Sequence, residues 1–293
     1  PTDASAVEAA VSAAHGGRIA AFRGRQAEVV GALMAGRSVL AVLPTGAGKS
    51  LCYTAAALAR AGTVLVVTPL LALARDQLAH LPPGLPAAAL DGAMPRPAAR
   101  GVLAALASGA LRVLFVAPER LASPSFLAAI ARMPRAAEGQ EPSSSLPRNP
   151  LPLVCVDEAH CLDEWGHTFR PAYFRLGRIL RERLRPAAVL ALTATATVRT
   201  RAAIAGALGI PYPDGAIVDA GVRPNLRLAA VTSSGGVDGG GARIALLRLL
   251  RPGGALAGCR RAIVYVPFQA AAESLAGGLS AAGVAAVCYH AGR

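Results

Sequence analysis

At 293 residues the chain has room for one large domain or two modest ones, and its 54% hydrophobic content is ample for a core, although much of it is alanine. The net charge of +13 comes almost entirely from arginine and suits a polyanionic partner, most simply a nucleic acid, but a high-GC coding bias enriches Arg, Ala, Gly and Pro together, so charge alone decides little. No apolar run reaches the ~18–20 residues that span a bilayer, Thr63–Leu73 being too short and holding Pro69, and the N-terminus lacks the charged-then-apolar pattern of a secretion signal.

Residues 1–20 are alanine-rich and predict a short helix. Phe22-Arg23-Gly24-Arg25-Gln26 follows, then a helical pattern through Leu33 to a turn at Gly36. The Gln26 amide, with one donor and one acceptor face, matches the edge of adenine, although an exposed glutamine at a helix start is the plainer reading.

Ser38–Val42 is an apolar run that reads as a buried strand, and Leu51–Arg60 is helix-forming. Between them lies Leu43-Pro44-Thr45-Gly46-Ala47-Gly48-Lys49-Ser50. A glycine-bearing turn between strand and helix points backbone N–H groups into a concave nest at the positive end of the helix dipole. That nest holds a triphosphate, with Lys49 reaching the outer phosphates and the Ser50 hydroxyl on Mg²⁺. Lys49 is the single lysine among 30 basic residues. A compact ammonium fits inside such a turn where a planar guanidinium does not.

Val64–Val67 is a β-branched run typical of a buried parallel strand. It ends in Thr68-Pro69 and hands over to a helical segment through Gln77. Ala87–Leu90 predicts a short strand, Pro97–Ser108 a helix, and Val113–Val116 another strand. Repeated strand–turn–helix units predict a parallel sheet with functional loops at the strand carboxyl ends. Residues 134–152, rich in Pro, Ser and Gly, are expected to be a mobile surface loop.

The next strand, Leu153–Val156, ends in Asp157-Glu158-Ala159-His160. Acids at the end of a buried strand downstream of a phosphate-binding turn have a mechanical meaning. Asp157 is placed to hold Mg²⁺ through its water shell, and Glu158 to orient and deprotonate the water that attacks a γ-phosphate. Residues 161–175 then carry the single tryptophan, Trp165, with Phe169, Tyr173 and Phe174 among arginines. Aromatics interleaved with Arg suit base stacking and phosphate clamping, while a core cluster under a loop is the bland alternative.

Leu176–Leu184 predicts an Arg-rich amphipathic helix. Val189–Leu192 predicts a strand ending in Thr193-Ala194-Thr195, and Val198–Leu208 a helix. Further on, Arg223–Leu226 is extended, 233–241 is Gly-rich, and Ala262–Val266, Gln269–Ala282 and Ala285–Tyr289 predict one more strand–helix–strand unit. Five cysteines, at 52, 155, 161, 259 and 288, form no Cys-x-x-Cys pair and no metal-ligand spacing. Cys52 and Cys155 are expected to be buried thiols, and the odd scattered count suits a reducing compartment.

In this order FRGRQ, LPTGAGKS, TPLLALARDQ, FVAPERL, DEAH, CLDEWGHTFRPAYFRLG, LTATAT, RPNL, IVY and YHAG resemble the RecQ family of superfamily-two helicases over roughly residues 20–293. The Leu81-Pro82-Pro83 run and Arg178–Arg185 are similar to its Rothmund–Thomson branch. The resemblance implies an α/β fold: a RecA-like P-loop domain over 21–220, its parallel sheet flanked by helices, after an N-terminal extension of 1–20. Residues 221–293 would open a second RecA-like domain, incomplete here, with the arginine finger, zinc-binding and winged-helix regions beyond Arg293. ATP and Mg²⁺ are the implied cofactors, with no zinc site in this chain.

By the same resemblance, Lys49, Asp157, Glu158 and His160 are catalytic. Phe22, Arg23, Gln26, Thr45, Gly46, Ala47, Gly48, Lys49 and Ser50 bind the nucleotide, and Ser50 and Asp157 take Mg²⁺. Thr68, Pro69, Trp165, His167, Phe169, Arg170, Thr193 and Thr195 contact nucleic acid or couple it to ATP. The implied activity is ATP-dependent 3′–5′ unwinding of single-stranded or forked DNA in nuclear repair, recombination or replication, with no membrane role. A chain that binds ATP and DNA without unwinding, and a DEAH-type RNA helicase, are the alternatives. The sequence departs from the family pattern in three places. Gly17-Arg18-Ile19 stands where an aromatic–glycine pair is usual, Thr54 where Gln follows Cys-Tyr, and Asp163 where Ser precedes the aromatic loop.

Overall fold

The computed structural model describes residues 4–69, 71–92, 94–136, 147–164, 171–219, 225–230 and 240–292. In chain order the elements are α1 (Ala4–Ala14), α2 (Gln26–Met34), β1 (Val39–Val42), α3 (Lys49–Ala59), β2 (Val64–Val67), α4 (Leu71–Ala79), β3 (Ala87–Leu90), α5 (Arg96–Ala107), β4 (Val113–Val116), α6 (Pro124–Arg132), β5 (Leu153–Val156), α7 (Cys161–Glu164), α8 (Pro171–Ile179), β6 (Val189–Thr193), α9 (Val198–Leu208), β7 (Ala216–Val218), α10 (Gly240–Leu250) and α11 (Gln269–Ala281). The chain divides into two compact units, Pro1–Gly221 and Val222–Arg293.

The first unit is built on a seven-stranded sheet in the order β3-β4-β2-β5-β6-β1-β7, and every neighbouring pair is parallel. β1, β2, β4, β5 and β6 are buried at every residue. That is why they read as unbroken apolar runs rather than alternating ones. Alternate side chains feed two cores. Leu40, Leu65, Leu114 and Val154 pack on one face with residues of α8 and α9. Val39, Val66, Phe115 and Cys155 pack on the other face with α1, α2 and α3.

Most predicted strands and helices of this unit form within a residue or two of their expected limits, but α8 starts at Pro171, well before the expected Leu176. The structure adds α6, α7 and β7, which the patterning left unassigned. Ser123 caps α6, accepting from the Phe126 N–H at 3.4 Å, and Pro124 takes its first position, a start signal the sequence does carry. Leu176–Leu184 is not one uniform helix: α8 ends at Ile179 and a wider π turn, Leu180–Leu184, finishes the run.

Two expectations are corrected. Of the segment 134–152, residues 137–146 lie outside the described residues, but its end is tied down. Leu151 is fully buried, and the Pro150 carbonyl accepts from Thr63 N–H at 2.9 Å. In the second unit, 262–266 and 285–289 form no strands, and Ile263, Tyr265, Val287 and Tyr289 are exposed. An apolar run becomes a strand only where a neighbour completes its hydrogen bonds, and the described residues of this unit supply no sheet to join. The helix between these segments, α11, forms as expected.

Gly177 lets α8 and α9 approach closely. A Cβ there would overlap the Ala207 carbonyl oxygen, which already accepts from Arg181 Nη1 at 2.8 Å. Gly177→Ala is therefore expected to destabilise the first unit by about 1–3 kcal/mol, the usual cost of overpacking, read from urea unfolding. An unchanged midpoint would contradict this packing.

Candidate functional site

Parallel pairing brings the strand ends into line. Val42 lies opposite Thr193, and Val67 opposite both Val116 and Val156. The ladder runs one residue further: Leu43 N–H donates to Thr193 O (3.0 Å), Asp157 N–H to Val67 O (2.8 Å) and Ala159 N–H to Leu192 O (2.8 Å). The turns after β1, β2, β5 and β6, four neighbouring strands, thus open on one edge.

The turn after β1 has the conformation its glycines predict. Gly46 has φ 83° and Gly48 φ 71°, and Gly48 caps the N-terminus of α3. At Gly48 a side chain is barred twice, by the left-handed backbone and by Gln26 Nε2, which an added Cβ would meet at 2.7 Å. Thr45 and Ser50 are exposed and Ala47 is half-buried. Lys49 Nζ donates to Leu43 O at 3.5 Å, so the ammonium curls back across the turn.

Gln26 is 3% exposed, not the surface residue its position at a helix start suggests. Its Nε2 donates to Ala47 O (2.6 Å) and Gly48 O (3.0 Å), and its Oε1 accepts from Arg23 N–H (2.8 Å). In this arrangement the amide braces the turn with both of its N–H donors and receives Arg23 N–H at its oxygen. Arg23 is exposed and lines a cleft of about 640 Å³ beside that turn, together with Arg18, Ile19, Gln26, Ser50, Tyr53 and Gln77. Arg18 and Ile19 therefore occupy the cleft at the departure from the aromatic–glycine pattern. Phe22, expected to bind nucleotide, is half-buried against the core, and its N–H donates to Glu8 Oε2 at 2.9 Å.

Asp157 is 7% exposed. Burial pushes its carboxyl pKa above the ordinary value. Opposing that are the Gln77 amide (Nε2 to Oδ2, 3.4 Å), the Glu158 N–H (to Oδ1, 3.0 Å), Lys49 and His160. Glu158 takes φ 49°, a left-handed conformation that costs a non-glycine residue about 1–3 kcal/mol and marks a constrained site. Its Oε2 lies 3.3 Å from His160 Nδ1, which also lies 3.0 Å from Thr193 Oγ1. Thr193 Oγ1 donates to Thr195 O at 3.0 Å. His160 thereby links the acid to the turn after β6.

Hydroxyl and carboxylate oxygens from Ser50 and Asp157 are the hard donors that Mg²⁺ selects. Together with the N–H nest and Lys49, the residues present fit a magnesium–triphosphate group. Of the residues expected to contact nucleic acid or couple it to ATP, Thr68, Pro69 and Thr193 are buried and Thr195 is exposed. Trp165, His167, Phe169 and Arg170 lie outside the described residues. Asp163, in α7, accepts from Thr200 Oγ1 at 3.0 Å. The Tyr53–Gln77 contact described below was not foreseen, because 24 residues separate the two.

Residues 23–204 match the sequence profile of the DEAD/DEAH box helicase family. The chain is 36% identical over 272 residues to the ATP-dependent DNA helicase Q-like 5 of Arabidopsis thaliana, covering 92% of this chain and 27% of that protein. It is 33% identical over 272 residues to the ATP-dependent DNA helicase RecQ of Pasteurella multocida, covering 92% and 39%. The chain thus spans well under half the length of these curated relatives. Among solved structures it is similar to the helicase Lhr of Mycobacterium smegmatis, bound to single-stranded DNA and AMP-PNP, with a TM-score of 0.61 and 18% identity, covering 96% of this chain and 37% of that one. At that identity the likeness concerns the fold, a helicase-type α/β architecture.

Since burial is the main cause of the raised Asp157 pKa, the carboxylate present at neutral pH costs the folded state. The sign is that of an acid with a raised folded pKa: its contribution to stability falls as pH rises through that value. Asp157→Asn is expected to raise the melting temperature at pH 7 in EDTA, by about 2–4 °C if the relief is about 1 kcal/mol. A lowered melting temperature would mean that Lys49 and the amides outweigh burial.

Proposed function

Because the chain belongs to the DEAD/DEAH box helicase family, on its RecQ branch, we propose that it carries the nucleotide-binding domain of an ATP-dependent DNA helicase that works with Mg²⁺. The observation that supports this most is the convergence of the Lys49 turn, Asp157 and Thr193 on one edge of the sheet. The family resemblance adds 3′–5′ polarity and a single-stranded or forked DNA substrate. It also suggests a nuclear location, although a bacterial protein among the relatives shows that the family does not fix the compartment.

In this reading the N–H groups of the Gly46–Ser50 turn and the Lys49 ammonium hold the outer phosphates of ATP, with Arg23 and Arg18 beside the base. Ser50 and Asp157 hold Mg²⁺, which supplies positive charge to the phosphate oxygens. Glu158 positions the attacking water and accepts its proton. His160 holds Glu158 against the Thr193–Thr195 turn, so a shift of that turn reaches the acid within two hydrogen-bond lengths. Residues 165–170, which follow the Asp157–His160 stretch closely in sequence, would report DNA to the same acid. A second reading, binding of nucleotide and DNA without steady turnover, is favoured by the absence of strands among the described residues of the second unit. A closed ATP site in related phosphoryl-transfer proteins gains about 10³–10⁵ in rate from an arginine finger supplied elsewhere.

Lys49→Ala is expected to abolish nucleotide binding, while Glu158→Gln spares binding and removes hydrolysis, because one group neutralises phosphate and the other handles a proton. Fluorescent-nucleotide titration beside single-stranded-DNA-stimulated ATPase checks this. Equal loss of ATP affinity in both variants would contradict the division. Stimulation by RNA but not DNA would favour the RNA-helicase alternative.

A further inference from the structure

Ser50 and Asp157 lie 107 residues apart in sequence, yet a run of hydrogen-bonded side chains that starts one helical turn from Ser50 ends on Asp157. Tyr53 stands one turn after Ser50 on α3, on the same helix face. Its hydroxyl donates to Gln77 Oε1 at 3.0 Å, and Gln77 Nε2 donates to Asp157 Oδ2 at 3.4 Å. Three elements, α3, α4 and the end of β5, are thus joined through two polar side chains.

We propose that Tyr53 and Gln77 are positioning residues that hold the Asp157 carboxylate in place from α3, one turn from Ser50, and that they set the affinity of the site for Mg²⁺. This rests on the nucleotide-binding reading above. The tyrosine hydroxyl and the glutamine amide each donate toward Asp157, which as a carboxylate can only accept. The Gln77 amide fixes one Asp157 oxygen and the Glu158 N–H the other, so the carboxylate cannot rotate freely. Metal sites depend on such outer partners to orient their ligands.

The bridge is rigid where it needs to be. Tyr53 is 1% exposed, and its ring meets Phe115 edge-on, with centroids 6.0 Å apart and planes at 84°. Burial, with the nearby Asp157 carboxylate adding to it, holds the phenol far above its ordinary pKa, so it stays a neutral donor at any working pH. Gln77 is half-buried and lines the cleft beside Tyr53, Ser50 and Gln26. The amide that steadies the phosphate turn and the amide that steadies the metal carboxylate therefore share one wall. Thr54, which stands where the family pattern has glutamine, takes no part, its hydroxyl donating to Ser50 O at 3.0 Å.

The test is binding of an N-methylanthraniloyl ATP to the full chain, in EDTA and across a Mg²⁺ titration, for the wild type, Tyr53→Phe and Gln77→Leu, with melting curves of each. Both variants are expected to bind nucleotide in EDTA as the wild type does and to need about 10-fold or more Mg²⁺ for the metal-dependent tightening, the usual loss when an outer partner of a metal ligand is removed. Unchanged Mg²⁺ dependence in both variants overturns the proposal, as does an equal loss of affinity in EDTA, which is what a packing role would produce. Should Tyr53→Phe fail to melt cooperatively, Gln77→Leu, at a half-exposed position, decides alone. A wild-type chain that binds no nucleotide in either buffer overturns the parent reading and this one with it.

Discussion

A parallel sheet sealed on both faces leaves polar chemistry one place to go, the carboxyl ends of its strands. In this chain β1, β5 and β6 are neighbours and buried at every residue, so Lys49, Asp157 and Thr193 must emerge side by side. The ladder hydrogen bonds that continue one residue past the strands set their depth. Catalytic geometry here follows from strand register, and a slip of one residue would turn every inward side chain outward.

That arrangement works against stability at several points. Asp157 is buried where burial disfavours its charge, and Glu158 holds a backbone conformation suited to glycine. Gln26 places an amide against the phosphate turn in a contact that only glycine at 48 permits. Each concession serves the same end, fixing oxygen and nitrogen atoms around a space shaped for phosphate before a ligand arrives. Preorganisation of that kind lowers the reorganisation required during reaction. The two side-chain cores offset its cost.

Legibility in the sequence tracked the range of the interaction. The phosphate turn was readable because its glycines, lysine and serine act within eight residues. The buried strands were readable because burial on both faces writes a continuous apolar run. α6 carried a readable start, Ser123-Pro124, that apolar periodicity alone did not single out. β7, three residues long, has too little pattern to stand out and is defined by pairing with β1. Gln26 was misread as exposed because its partners lie 21 and 22 residues away. The Tyr53–Gln77–Asp157 run depends on separations of 24 and 80 residues. Residues 262–266 and 285–289 failed in the opposite direction: local propensity was right for strands, but a strand needs a neighbour that the described residues do not provide.

The most direct test of the central claim is a crystal structure of the chain with AMP-PNP and Mg²⁺. The account predicts the triphosphate on the N–H groups of Gly46–Ser50, Lys49 on its outer phosphates, and the metal between the Ser50 hydroxyl and the Asp157 side. A nucleotide bound elsewhere, or a metal whose shell involves neither Ser50 nor Asp157, would contradict it.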